Sequence, residues 1–324
     1  MGYTDRALKR LGHAVRCFAC TNLLLDRLTL PSESEVLQGL RTAWHRRRDR
    51  RLIQVARSFG PDLILILWGN TLSPELLLSL KKETGAHLVT WWVDDPFRHH
   101  VESLIPLYDF FFVFDRSYLA PLKKHGAQEA RFLPCACDET VYTPRRLTPR
   151  EQALYASDIA LVAWYYPDRA RIVQALSDFD LKIWGRHWTS PDARAFFGGI
   201  PHQLAAGDHF VRDVVAAKIY SATKIGLNTH SDQTRQGGLN TRAFELLASG
   251  AFQLMDAVDG MEEMLEPNQE VVIYRSPEEA RELARYYLTH AGEKQRIAER
   301  GRWRVLSQHT YLHRVQTLLR EAMN

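Results

Sequence analysis

Residues 62–68 read DLILILW, an apolar run without alternation. A strand that is apolar at every position is covered on both faces, as in a parallel sheet flanked by helices. The same pattern recurs through the first half of the chain. Residues 87–93, 109–114 (DFFFVF) and 130–134 are expected as strands, and 13–18 as a further short one. Helices are expected over 4–11 and 33–59, from Pro74, and up to Lys124. Alternation of this kind argues a doubly wound parallel sheet with right-handed crossovers.

Residues 134–149 interrupt the pattern with three prolines and mixed charge, and they read as an interdomain linker. The alternation then resumes. Strands are expected at 159–163, 181–184, 224–229, 251–255 and 270–274. Helices are expected at 168–176, 213–222, 240–249, 277–289, 293–302 and on to the end. Residues 190–210, rich in Gly, Pro and His, are expected as loop with short helix. With 324 residues the chain suits two domains, expected at 1–145 and 146–324. The last helix, residues 305–324, is expected to pack back on the first domain. Ligands in such sheets bind beyond the carboxyl ends of the strands, so the cleft between the domains is the expected site. The chain begins almost inside a helix, where such a sheet opens on a strand and a Gly-rich turn. The expectation is that this strand is missing or that the edge is built differently.

The composition, 45% hydrophobic and 25% charged, is that of a soluble globular protein. A net charge of +4 demands no nucleic acid as partner, though it suits an enzyme that handles anions. No apolar run reaches the roughly 18 residues of a membrane span. No signal-peptide pattern opens the chain, so the cytoplasm is the expected compartment. Cys17, Cys20, Cys135 and Cys137 have spacings compatible with zinc but lack a finger or ribbon context. They are expected as free thiols, and no metal is expected. The basic run 45–51 (HRRRDRR) can attract anionic lipid headgroups, leaving peripheral membrane contact open. A solvated helix face is the plainer reading.

Residues 224–250 carry the chemistry. A buried strand ends at Thr229 and His230, a polar loop follows, and a helix opens at Asn240 beside Gly237 and Gly238. A helix N-terminus at a strand's carboxyl end offers free N–H groups and a positive dipole end to a phosphate. Glycine lets the backbone approach such a group closely. Arg242 and Glu245 share a helix face at i, i+3. The guanidinium can grip a diphosphate, and the carboxylate can accept two hydrogen bonds from a ribose diol. A plain surface Arg–Glu pair is the alternative. Asp94 and Asp95 end the strand at 87–93. One of them can take a proton from an acceptor, or can merely cap the following turn. His99 and His100 lie just beyond. Trp184 and Trp188 are read either as stacking groups for a base or sugar or as core.

The run NTRAFELLASG–AFQL resembles the signature of the spore-maturation-type glycosyltransferases, which belong with the GT-B enzymes that use nucleotide-diphosphate sugars. WWVDDP, FLPCACDETVYTP, PDRARIVQAL, LKIWGRHW, KIGLNTH and HTYLHR follow in the family's order. The resemblance implies two Rossmann-like domains, the first for the acceptor and the second for a nucleotide-sugar donor, with a UDP-sugar favoured. It implies that Glu245 holds the ribose. It implies that Arg242, with the backbone of Asn240 and Thr241 and the close approach at Gly238, binds the diphosphate. Arg169 and His230 are further candidates for the phosphates, and catalysis needs no bound metal. Ala163 and Trp164 stand where many GT-B proteins carry glycine. The acceptor and the oligomeric state are left open by the sequence. Two other readings remain: a sugar-nucleotide epimerase on the same fold, and a non-catalytic nucleotide-sugar-binding protein.

Overall fold

The computed structural model describes residues 2–20, 35–234 and 236–323, except for the side chains of 35–38, 41, 206 and 207. The chain divides into two compact units. One comprises Met1–Leu133 and Val315–Asn324, the other Pro134–Arg314.

The first unit holds α1 (Gly2–Arg10), α2 (Glu35–Phe59), β1 (Leu63–Ile66), α3 (Pro74–Thr84), β2 (His87–Trp92), β3 (Phe110–Val113), α4 (Leu119–Lys124) and β4 (Ala130–Phe132). The start expected for α2, at residue 33, lies outside the described residues. The four strands pair in parallel in the order β1-β2-β3-β4. Local chemistry sets the ends of α3. Ser73 caps its first turn by accepting from the Leu76 N–H, Pro74 fixes the first helical φ, and Gly85 ends it in the left-handed region at φ 69°. The interior is aromatic, with Trp91, Tyr108, Phe111, Phe112 and Phe114 buried.

Two expectations fail here. Residues 13–18 form no strand and are largely exposed. Consequently β1 is an edge among the described strands, and Leu63, Ile64 and Leu65 are only half-buried. An apolar run states a preference for burial, and the neighbour that would complete that burial is a separate question.

The second unit continues with α5 (Pro149–Tyr155), β5 (Ser157–Val162), α6 (Pro167–Ala175), β6 (Leu181–Gly185), α7 (Pro191–Phe197), β7 (Leu204–Asp208), α8 (Asp213–Ala222), β8 (Thr223–Asn228), α9 (Thr241–Ala248), β9 (Gln253–Asp256), β10 (Val272–Tyr274), α10 (Pro277–Thr289) and α11 (Ala291–Gln308). The last helix, α12 (Tyr311–Met323), starts in this unit and ends in the first. All six strands run parallel in the order β10-β9-β8-β5-β6-β7. Successive strands add outward from β5 on one side and from β8 on the other. The order therefore reverses between β5 and β8, which is where a sheet of this type opens a crevice at its carboxyl end.

The units divide after Leu133, ahead of the proline-rich stretch that reads as a linker. That stretch belongs to the second unit. Cys135, Ala136, Cys137 and Tyr142 are buried, and Cys137 bridges to Thr310. Thr148 and Glu151 form a capping box that starts α5. The segment expected as loop, 190–210, contains α7 and β7.

Candidate functional site

The switch point of the second sheet gathers four polar residues. Asn228 ends β8, and Asn240 caps α9 by accepting from the Ala243 N–H at 3.0 Å. Their side-chain amides exchange two hydrogen bonds, at 3.0 and 3.2 Å, which lock the helix start to the strand end. The Arg242 fork spans the two central strands. Its Nε donates to the Val162 carbonyl at the end of β5 (2.7 Å) and its Nη1 to Asn228 Oδ1 (2.9 Å). Arg169, on the first turn of α6, approaches from the opposite side. It donates to the Trp164 carbonyl (2.9 Å), to the Thr229 carbonyl (3.2 Å) and to Thr229 Oγ1 (3.3 Å). Burial, joined by the neighbouring Arg242 charge, lowers the Arg169 pKa to about 9.

These contacts decide the electrostatics. The hydrogen bonds of both guanidiniums go to neutral oxygens, Arg169 also lies 4.7 Å from the centre of the Tyr166 ring, and neither forms a salt bridge among the described residues. Two cations held side by side, neither hydrogen-bonded to a carboxylate, with Glu245 and Asp256 acting on them only at longer range, concentrate positive charge at the carboxyl end of β5 and β8, beside the N-terminus of α9. Such an arrangement is complementary to a multivalent anion.

Glu245 lies one turn into α9, half-buried. Burial pushes its carboxyl up to about 7, against the opposing pull of Arg242, the Tyr142 hydroxyl and Thr241. Gly237 takes the left-handed region at φ 73° and donates its N–H to the Asp259 carbonyl, while Gly238 is buried beside it. Thr241 is the first residue of α9 and half-buried. His230 is 8% exposed. Its backbone N–H and its Nδ1 both meet Asp256, at 2.8 and 2.7 Å, and its Nε2 has no partner among the described residues. A pocket lined by Asp168, Thr229, His230, Asp256 and Tyr274 opens beside this pair.

The expected Arg242–Glu245 face is thus rearranged. Arg242 turns back onto β5 and β8, whereas Glu245 addresses Tyr142 and Thr241. Asn228, Thr229 and Asp256 complete the cluster and were not foreseen. The polar ending of an otherwise apolar strand, LNT, was the available signal. Trp188 is fully buried and donates to the Ala163 carbonyl at 2.8 Å, so it serves the core.

In the first unit, Asp94 and Asp95 lie at the carboxyl end of β2. Asp95 is buried and caps the next turn by accepting from the Phe97 N–H at 2.9 Å. Asp94 accepts from the Asp95 N–H and faces His99 Nε2 at 3.5 Å. In the basic run, Arg48 points inward, donating to the Thr71 carbonyl, while Arg46, Arg47, Arg50 and Arg51 are exposed. Cys135 and Cys137 are buried, Cys17 is exposed, and no disulfide forms among the described residues. Among the described residues no helix is long and apolar enough to cross a membrane.

Residues 169–320 match the family described as Glycosyl transferase-like. The match covers just under half of the chain, and the two parallel sheets give the chain the GT-B fold. Among particular proteins, it is 20% identical to Spore protein CgeB of Bacillus subtilis (strain 168), over 74% of this chain and 76% of that one. A glycosyltransferase from Rickettsia africae ESF-5 superposes with a TM-score of 0.66 at 13% identity, covering 98% of this chain and 92% of that one. Anabaena HepE in complex with UDP and glucose superposes with a TM-score of 0.63 at 11% identity, covering 85% and 80%.

Proposed function

We propose that this enzyme transfers a sugar from a nucleotide-diphosphate sugar, with UDP the favoured nucleotide, to an acceptor held by the first unit. The observation that carries the donor half is the pair Arg169 and Arg242, two cations converging on a strand switch point with only neutral oxygens as hydrogen-bond partners. A diphosphate supplies the missing negative charge. The N–H groups of Asn240 and Thr241, the close approach at Gly238, and His230 add donors around it. Glu245 accepts from the ribose diol. HepE, of the same fold, was solved with UDP and glucose.

In the transfer, an acceptor oxygen bonds to the anomeric carbon while the bond from that carbon to the diphosphate breaks. The arginines and the α9 dipole stabilise the charge that develops on the leaving diphosphate, the work a metal ion does elsewhere. Asp94 takes the acceptor's proton, and Asp95 holds the turn that presents it. We assign the enzyme to the cytoplasm, where thiols stay reduced. Calorimetric titration with UDP tests the donor site. Arg242→Ala and Glu245→Ala are each expected to weaken binding by about tenfold or more, as loss of a charged hydrogen-bonding partner does. Unchanged affinity in both variants overturns the assignment.

A further inference from the structure

The carboxyl ends of β1 and β2 carry a second cluster, within the first unit. Trp68 follows β1 and sits in the left-handed region, at φ 58° and ψ 58°. A bulky residue with positive φ is a rare outlier, and such strain concentrates at ligand sites. Its indole is 47% exposed. His99 stands edge-on to it with ring centroids 5.1 Å apart, and Trp92 lies 6.0 Å away. Asp94 lies 3.5 Å from His99 Nε2. The loop after Trp68 admits no larger residue at Gly69, where a Cβ would lie 2.7 Å from the Tyr108 hydroxyl.

Buried polar atoms without partners gather around this same loop. Arg48 pairs with Asp49 through Nε and Nη2 and donates Nη2 to the Thr71 carbonyl, yet its Nη1 has no partner among the described residues. The same holds for Trp92 Nε1 and for the Tyr108 hydroxyl. All three side chains are more than nine-tenths buried. Unmet buried donors are costly and are retained where something else satisfies them.

We propose that this cluster is the acceptor subsite and that it takes a pyranose ring. The exposed Trp68 face covers the ring's apolar C–H side. His99 and Asp94, 3.5 Å apart, meet the ring's hydroxyls, and the buried unpartnered donors of Arg48 and Trp92 border the same loop. A flat apolar face bordered by hydroxyls is what a sugar presents, and an exposed indole beside polar groups complements it. The proposal deepens the glycosyltransferase reading by giving the acceptor a chemical class.

Saturation-transfer NMR on the whole protein, with UDP present, tests it. The probes are the methyl pyranosides of glucose, galactose and mannose, together with N-acetylglucosamine, and glycerol is the non-ring control. At least one pyranoside is expected to take saturation on the C–H protons of one ring face, and glycerol none. Trp68→Ala and Trp68→Asn are expected to weaken that binding about tenfold, the loss of one aromatic anchor, while Trp68→Phe retains most of it. Asn tolerates the left-handed backbone, so it separates loss of the ring from backbone strain. If no pyranoside binds, or if Trp68→Asn binds as the parent does, the subsite is overturned. UDP affinity is expected to be the same in every variant. Failure of the parent to bind UDP would sink the donor reading, and the pyranoside result would still be read by itself.

Discussion

Replacing Glu245 by Gln probes the sheltered carboxyl of α9 directly. Its pKa stands at about 7 in the folded protein, against an ordinary 4.5, because burial disfavours the charged form. That rise amounts to about 3 kcal/mol of strain on the ionised group. The sign follows from linkage. A carboxyl whose folded pKa is raised gives its full stability below the unfolded value, and the contribution is lost as pH climbs through 7. Between pH 6 and pH 8 the penalty grows by about 1 kcal/mol. The amide has the same shape and carries no charge. Glu245→Gln is therefore expected to melt above the parent at pH 8, with a smaller gap at pH 6. For a unit the length of Pro134–Arg314, that change in the gap is worth about 2–4 °C. Differential scanning calorimetry of both proteins at the two pH values reads it out. A gap that does not change with pH refutes the claim that burial strains this carboxylate. The same strain bears on the donor. A ribose diol donates to the ionised form, so UDP binding near pH 7 should release a fraction of a proton. That release appears in calorimetry as a dependence on the buffer's ionisation enthalpy, and it disappears in the Gln variant.

Three further outcomes follow from the packing and the proposed chemistry. Gly185 ends β6 at φ 150°, and a Cβ there would lie 1.9 Å from the Ala163 carbonyl. Gly185→Ala is expected to lose about 1–3 kcal/mol in urea denaturation, and unaltered stability would contradict the close approach of the two strand ends. Asp94→Asn is expected to lower kcat by about 100-fold, the usual contribution of a positioned base, with the melting temperature kept. Asp95→Asn is expected to leave kcat within about a factor of three, because asparagine also caps well. Equal losses in both variants would show that the two carboxylates act together.

The strand-and-helix alternation was legible because most buried strands here are largely apolar, as in DFFFVF and LKIWG. What escaped reading had physical causes. LAAGD, which forms β7, carries small residues whose strand preference comes from pairing with β6, and no local pattern announces that. Residues 13–18 have the length and apolar content of a strand yet form none, because periodicity does not supply a pairing partner. Asp62 and the run after it revealed a strand but not its place at an edge. At the candidate site, the glycines, the helix start and the Arg–Glu pair were visible as residue types. The turn of Arg242 onto the Val162 carbonyl, 80 residues earlier, was not. Such a contact is set by the order of strands in the sheet, and that order is written across the whole chain. His230 was visible, but its bond to Asp256 arises because β8 and β9 are neighbours.

The helix α12 has a bearing on how the protein is made. The second unit is one continuous stretch, Pro134–Arg314, whereas the first needs both Met1–Leu133 and Val315–Asn324. Val315, Leu318 and Ala322 are almost fully buried, so the late segment belongs to a core and not to a loose tail. During translation the ribosome delivers every residue of the second unit before this piece of the first exists. The unit that starts first is therefore finished second, and its early strands must wait, with an apolar surface still open, until the final helix arrives.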